Sequence, residues 1–219
     1  MRRWLVLVFL ILLSMACPAQ TPGALESEPN GWKDILPNSA FDGWTRLPFL
    51  TTNPMDPVSQ WKVDTANRIL LCEGNRGHEW LRYDRELTDA IFHAEFRFTP
   101  IEAGKGYNSG VMIRNSADGA TWYQAQAGAE GTGYLFGANP VNGKPERFNL
   151  RSQMKENRVR PPGQWNVYEL RAEGPRITVW VNGGVTTELA TAGALKGYAG
   201  LEAEGYRIEF RNLKLKELK

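Results

Sequence analysis

Two cysteines and two histidines are all that the 219 residues contain. Cys17 lies near the N-terminus and Cys72 far inside the chain, so a disulfide framework is excluded. Cys72, in an apolar run, reads as a small buried hydrophobe rather than a nucleophile. No His-x-His or Cys-x-x-Cys spacing is present, so no metal site is expected, and no carboxylate-rich calcium loop is evident. Lys plus Arg number 26 and Asp plus Glu 24, a net charge of +2. Such a balance lacks the basic stripe of a nucleic-acid binder, and no nucleic-acid partner is expected. The nucleophile motifs of serine and cysteine hydrolases are missing, as are glycine-rich phosphate loops, so no cofactor is expected. No segment longer than a turn or two reads as helix. The one long apolar run, 4–13, is too short for a comfortable membrane span.

That run belongs to MRRWLVLVFLILLSMACPAQ, where two arginines, an apolar stretch and small residues follow one another. The pattern is that of an export signal over 1–19, and it predicts a periplasmic or envelope location. Its removal takes Arg2 and Arg3 away and brings the formal charge from +2 to about 0. LSMAC resembles the box before a lipidated cysteine, although Ser14 stands where Leu is usual. Two outcomes stay open: lipidation of Cys17, or ordinary cleavage near Ala16 or Ala19. A lipid anchor is the one membrane contact this reading allows. The polar segment 20–30, QTPGALESEPN, reads as a tether, and the folded domain spans 31–219.

What the chain has in quantity is 22 Gly, 13 Pro, 8 Trp, 7 Tyr and 9 Phe, the composition of strands and turns. Alternation predicts strands at 60–64, 68–73, 79–83, 91–99, 110–115, 121–127, 133–136, 166–172, 176–181, 185–189, 199–204 and 207–216. In 91–99, Phe92, Ala94, Phe96 and Phe98 face one way. His93, Glu95 and Arg97 face the other, which places His93 on a solvated surface. Asn182-Gly183 is a tight-turn signal, since both central positions need positive φ. About a dozen strands joined by short turns in one domain imply an all-β, two-sheet antiparallel sandwich.

An ordered set of segments carries a family resemblance: GWKDILPNSAFDGWTR, QWKVDTANRILLCEG, residues 95–98, YNSGVMIR, WYQAQAG, TGYLFGANP, RPPGQWNVYELRAEGPRITVWVNGG, GYAGLEAEG and IEFRNLKLKEL. They resemble the 3-keto-disaccharide hydrolase domain family over nearly the whole of 31–218. The resemblance implies a concanavalin A-like jelly roll, a carbohydrate partner, and cleavage of glycosides oxidised at C3. A C3 ketone acidifies the C2 hydrogen. Its removal gives an enolate, the C1 oxygen can leave, and water adds afterwards. The chemistry needs one general base, a donor for the enolate oxygen and a proton for the leaving oxygen. One well-placed donor at a developing oxyanion is worth about 3 kcal/mol or more.

Strand parity sorts the candidates. In YNSGVMIR, Ser109, Val111 and Ile113 should face the core, leaving Gly110, Met112 and Arg114 on a groove. Arg114 would then offer its guanidinium to a keto or enolate oxygen. In WYQAQAG, Trp122, Gln124 and Gln126 share the other face, a ring and two amides suited to a sugar. The related motif usually has Glu where this chain has Gln124. GYAGLEAEG has Glu202 where relatives tend to have Gln, and Glu202 shares a face with Glu204. Glu202 and the loop histidine His78 are therefore candidate acid–base groups. Asn108 and Lys105 in GKGYN could rim the groove, and Tyr134 could stack on a sugar. The leading expectation is a secreted or lipid-anchored 3-keto-glycoside-cleaving enzyme. The alternatives are a non-catalytic, lectin-like carbohydrate-binding domain and a surface scaffold, which the fold alone does not separate.

Overall fold

A computed structural model describes residues 20–49, 52, 54–102 and 106–219. The expected signal segment, Cys17 and Lys105 lie outside the described residues. In chain order the strands are β1 (Trp32–Asp34), β2 (Trp44–Pro48), β3 (Trp61–Asp64), β4 (Ile69–Cys72), β5 (Glu79–Tyr83), β6 (Ala90–Phe98), β7 (Asn108–Asn115) and β8 (Trp122–Gly128). They continue with β9 (Leu135–Val141), β10 (Lys144–Asn149), β11 (Asn166–Glu173), β12 (Arg176–Val181), β13 (Gly184–Leu189), β14 (Tyr198–Ala203) and β15 (Ile208–Glu217). One sheet runs β13-β12-β11-β6-β15-β4-β3, with β1 also paired to β15; the other runs β10-β9-β8-β7-β14-β5-β2. Neighbouring strands are antiparallel, and the two sheets enclose one core, so the expected jelly-roll sandwich is the observed architecture.

The core follows the alternation. Phe92, Phe96 and Phe98 of β6 meet Tyr168 of β11 and Phe210 of β15, with Phe96 edge-on to Tyr168 at 4.9 Å between ring centres. From the opposite sheet come Val111, Ile113, Tyr123, Ala125, Ala127, Leu201 and Ala203. Burying each large side chain of this kind contributes about 1.5–3 kcal/mol. Cys72 is fully buried, and burial pushes its thiol up to about 12, which keeps it an inert hydrophobe.

Three elements escape the sequence pattern. β1 and β2 are short, and β10 reads Lys-Pro-Glu-Arg-Phe-Asn, too polar and proline-containing to show as a strand. It is an edge strand, the place where proline is tolerated. The Asn142-Gly143 turn before it, with φ of 51° and 77°, is the signal that could have found it.

The segment 20–30 is not a loose tether. Thr21 N donates to Gly183 O at 2.7 Å, and Trp180 Nε1 donates to Thr21 O at 3.1 Å. A single helical turn, Ala24–Ser27, follows, and the Ala24 and Leu25 amides donate to the Glu169 carboxylate. Glu28 pairs with Arg171 at 2.7 Å and Lys216 at 2.9 Å. This strap covers the outer face of the sheet over β6 and β11. His93 accordingly is buried rather than solvated, with Nδ1 2.9 Å from Glu169 Oε1. The parity expected for β6 holds; what changes is that a remote segment dries its polar side.

Candidate active site

The outer face of the other sheet carries the site. β8 turns Tyr123, Ala125 and Ala127 into the core, so Trp122, Gln124 and Gln126 point outward. β7 runs beside it, with Gly110 opposite Gln126. A Cβ at Gly110 would come within 2.3 Å of the Gln124 side chain, so the bare backbone there lets Gln124 lie across β7. On the far side of β7, β14 sends Leu201 inward and Glu202 outward. The loop before β5 adds His78, and Phe49 follows the end of β2. Together with Asn108, Phe136, Arg147 and Glu204 these residues line a cavity of about 240 Å³.

Its floor is a hydrogen-bonded set. His78 Nε2 lies 2.7 Å from Glu202 Oε1 and 3.7 Å from Glu204 Oε2. Gln124 Nε2 donates to Glu202 Oε2 at 2.6 Å. Asn108 Nδ2 donates to Glu204 Oε2 at 2.5 Å, and Gln126 Nε2 donates to Asn108 Oδ1 at 2.7 Å. Phe49 stacks on the His78 ring at 4.1 Å and nearly parallel, which holds the imidazole against the carboxylates. Gln124 Oε1 is buried with no hydrogen-bond partner beneath the cavity floor.

The electrostatics centre on Glu202, which is 2% exposed. Burial raises its pKa above the ordinary 4.5, against the lowering pull of His78 and Gln124. At His78 burial acts to lower the pKa, but the bond to Glu202 and the charges of Glu202 and Glu204 outweigh it, and the net direction is up. A carboxylate oxygen and an imidazole nitrogen 2.7 Å apart need one hydrogen between them. The two therefore titrate as a unit that keeps this proton to higher pH than either group would alone.

Six expected site residues meet here: His78, Asn108, Trp122, Gln124, Gln126 and Glu202. Trp122 is only 5% exposed, however, and Arg147 stacks over its ring at 4.7 Å, so it is a support and not an open platform for a sugar. Tyr134 lies beyond Phe136, their rings 5.8 Å apart, and does not line the cavity.

Arg114 is elsewhere, and the expectation that it stands in the groove is corrected. Its φ is +57°, and the pairing of β7 with β14 shifts register between Tyr198 and Gly200. Alternation fails at such a break. The side chain is fully buried at the end of the sandwich. It donates to Thr88 O at 3.1 Å, to Gly174 O at 2.5 Å and to Asp89 Oδ1 at 2.7 Å. Asp89 and Gly174 flank β6 and β11 of the opposite sheet, so Arg114 joins the two sheets.

One grouping could not be read from sequence spacing. His78 and Glu202 are 124 positions apart, so no spacing motif could reveal them, yet the ligating atoms of His78, Glu202 and Glu204 all lie within 4.8 Å of one another. One imidazole and two carboxylates could hold a divalent cation. Phe49, Phe136, Arg147 and the proximity of Glu204 to His78 are the parts of the site that sequence reasoning missed. Arg147 was hidden with its strand, and nothing local marks Phe49.

A concanavalin A-like jelly roll with a polar, acid-floored cavity on the outer face of one sheet is a sandwich of the glycoside-acting or carbohydrate-binding class. Within that class, residues 31–216 match the 3-keto-alpha-glucoside-1,2-lyase-like domain, and the chain belongs to that family. Solved structures with the same fold include carbohydrate-binding module CBM66 from Bacillus subtilis, at 14% identity and TM-score 0.58, covering 80% of this chain and 96% of that one. A candidate glycosyl hydrolase from Parabacteroides distasonis ATCC 8503 is similar at 15% identity and TM-score 0.59, covering 89% and 97%. LamA from Z. galactanivorans, in complex with laminaritriose and laminaritetraose, is similar at 11% identity and TM-score 0.54, covering 80% and 92%. A comparison with curated protein sequences finds no match.

Proposed function

We propose that the chain cleaves 3-keto-glycosides by elimination at this cavity. The observation that carries the reading is the His78–Glu202–Glu204 floor, where a proton-sharing pair sits beside a second carboxylate. Glu204, its side chain 40% exposed, takes the C2 hydrogen as a proton. The electron pair moves onto the C3 oxygen as an enolate, which protonated His78 stabilises. The enolate then returns to the ketone, C1=C2 forms, the C1–O bond breaks, and His78 passes its proton to the leaving oxygen. Water adds to the enone in a later step. Glu202 is a positioning residue here: it accepts the His78 Nε2 hydrogen and raises the His78 pKa, so the proton that reaches the enolate and the leaving oxygen is the one on Nδ1. The Gln126 and Asn108 amides orient the sugar hydroxyls, and Gln124 holds the Glu202 carboxylate in place.

The acidic floor supports an enzyme over a lectin-like binder, because a simple sugar-binding face gains nothing from a buried carboxylate sharing a proton with histidine. The test is incubation with a chromogenic 3-keto-glucoside beside its unoxidised parent. Release from the keto compound alone is expected; equal release from both, or none from either, refutes the reading. The N-terminal 19 residues support export, and mass spectrometry of the membrane fraction, looking for diacylglyceryl on Cys17, tests the anchored version.

A further inference from the structure

The strand that sequence reasoning missed brings Arg147 to the groove, and the turn after it places Arg151 beyond the same end. On β10, Phe148 packs inward against Tyr123, their rings 6.0 Å apart, so the adjacent Arg147 points outward beside the cavity. Its guanidinium lies 4.7 Å over the Trp122 ring. Arg151, just past β10, lies 5.7 Å over the Tyr134 ring. Phe136 sits between the two rings, 5.1 Å from Trp122 and 5.8 Å from Tyr134. The result is an aromatic row, Trp122–Phe136–Tyr134, with a cation laid on each end.

Neither guanidinium has a carboxylate within ion-pair distance among the described residues. Several other arginines do: Arg82 pairs with Asp84 at 2.9 Å, and Arg97 with Glu209 at 2.6 Å. A ring beneath a guanidinium restrains its plane while its N–H edges stay available, and a fork of donors held this way matches a carboxylate or a sulfate. The cavity floor has the opposite sign, with Glu202 and Glu204. An anionic ligand is thus repelled from the floor and attracted to the β10 end. With an oxidised ring over the floor, the adjoining unit would reach Arg147.

We propose that Arg147 and Arg151 form an anion-binding subsite, and that the natural glycoside carries a carboxylate or sulfate on the unit adjoining the oxidised ring. The proposal rests on the reading of the cavity as a glycoside site and adds its substrate class. It is tested by binding, which needs no turnover. Glucosyl-glucuronate, a sulfated glucosyl-glucose and neutral glucosyl-glucose are titrated into the full protein by calorimetry. At low salt the acidic ligands are expected to bind about tenfold tighter than the neutral one. High salt, R147Q and R151Q each erase that preference, and R147K retains part of it. The carboxylate and sulfate arms show which anion is preferred. Equal binding of acidic and neutral sugars, absent binding of all three, or an acid preference that survives R147Q and R151Q together overturns the proposal. Both residues lie on the surface, and an unchanged melting temperature shows that the variants fold. Turnover of a neutral 3-keto-glucoside without acid preference removes the subsite alone. Acid preference without any turnover removes the lyase reading alone.

Discussion

Replacing Arg114 with methionine separates its structural role from the catalytic one that alternation suggests. The buried guanidinium donates to three carbonyls, Thr88 O, Gly174 O and, at a long 3.4 Å, Ala194 O, and to Asp89 Oδ1. Methionine fills much of the space and removes every donor. Each carbonyl left dry costs about 1–3 kcal/mol. Asp89 has a side chain 36% exposed, so it regains water and adds little. The sum is about 3 kcal/mol, and at ~2–4 °C per kcal/mol for a chain of this size the melting temperature should fall by about 6–12 °C. R114K keeps the charge and part of the bonding and should fall between. Thermal unfolding by circular dichroism measures the shift, and turnover of a 3-keto-glucoside is read on the folded protein at low temperature. Folded R114M should stay active. An R114M protein that melts with the wild type yet loses turnover would refute the placement of Arg114 outside the chemistry.

Three other outcomes follow from the buried charges. Glu202→Gln should lower turnover and move the alkaline limb of the pH–rate profile downward, because His78 loses the partner that raises its pKa. An unshifted alkaline limb would remove Glu202 from the proton unit. At Glu95, burial opposes ionisation, but bonds from His93, Arg211 and Asn212 outweigh it and bring the pKa from 4.5 to about 2. That stabilisation, at most about 3 kcal/mol, is present above pH 4.5 and lost as pH falls towards 2. E95Q should therefore destabilise at neutral pH and converge with the wild type in acid, as urea midpoints across pH would show. Glu169→Ala leaves the Ala24 and Leu25 amides without their acceptor and His93 without its carboxylate. Limited proteolysis should then cut near 20–28 well before the domain; protection equal to wild type would contradict docking by Glu169.

Alternation is a local property, and the strands that obey it were legible as residues. Glu79–Tyr83 and Arg176–Val181 have the expected bounds, and Val111, Ile113, Tyr123 and Ala125 face the core as parity requires. The outward set of β8, with Gln124 and Gln126, follows from the same rule, and so does Glu202 on β14. The rule fails where the backbone departs from it or where the partner is remote. A left-handed φ beside a register shift turned Arg114 from the groove to the join between sheets. A strap from the start of the described chain dried His93, although the face it occupies was read correctly. β10 was masked by its polar edge, and Arg147 with it. The sequence alone thus determined which side chains leave each regular strand on which side, since that depends on a two-residue repeat. Only the tertiary structure decided which of those side chains meet, because His78 and Glu202 become neighbours through the pairing of β5 with β14, a contact that no local pattern encodes.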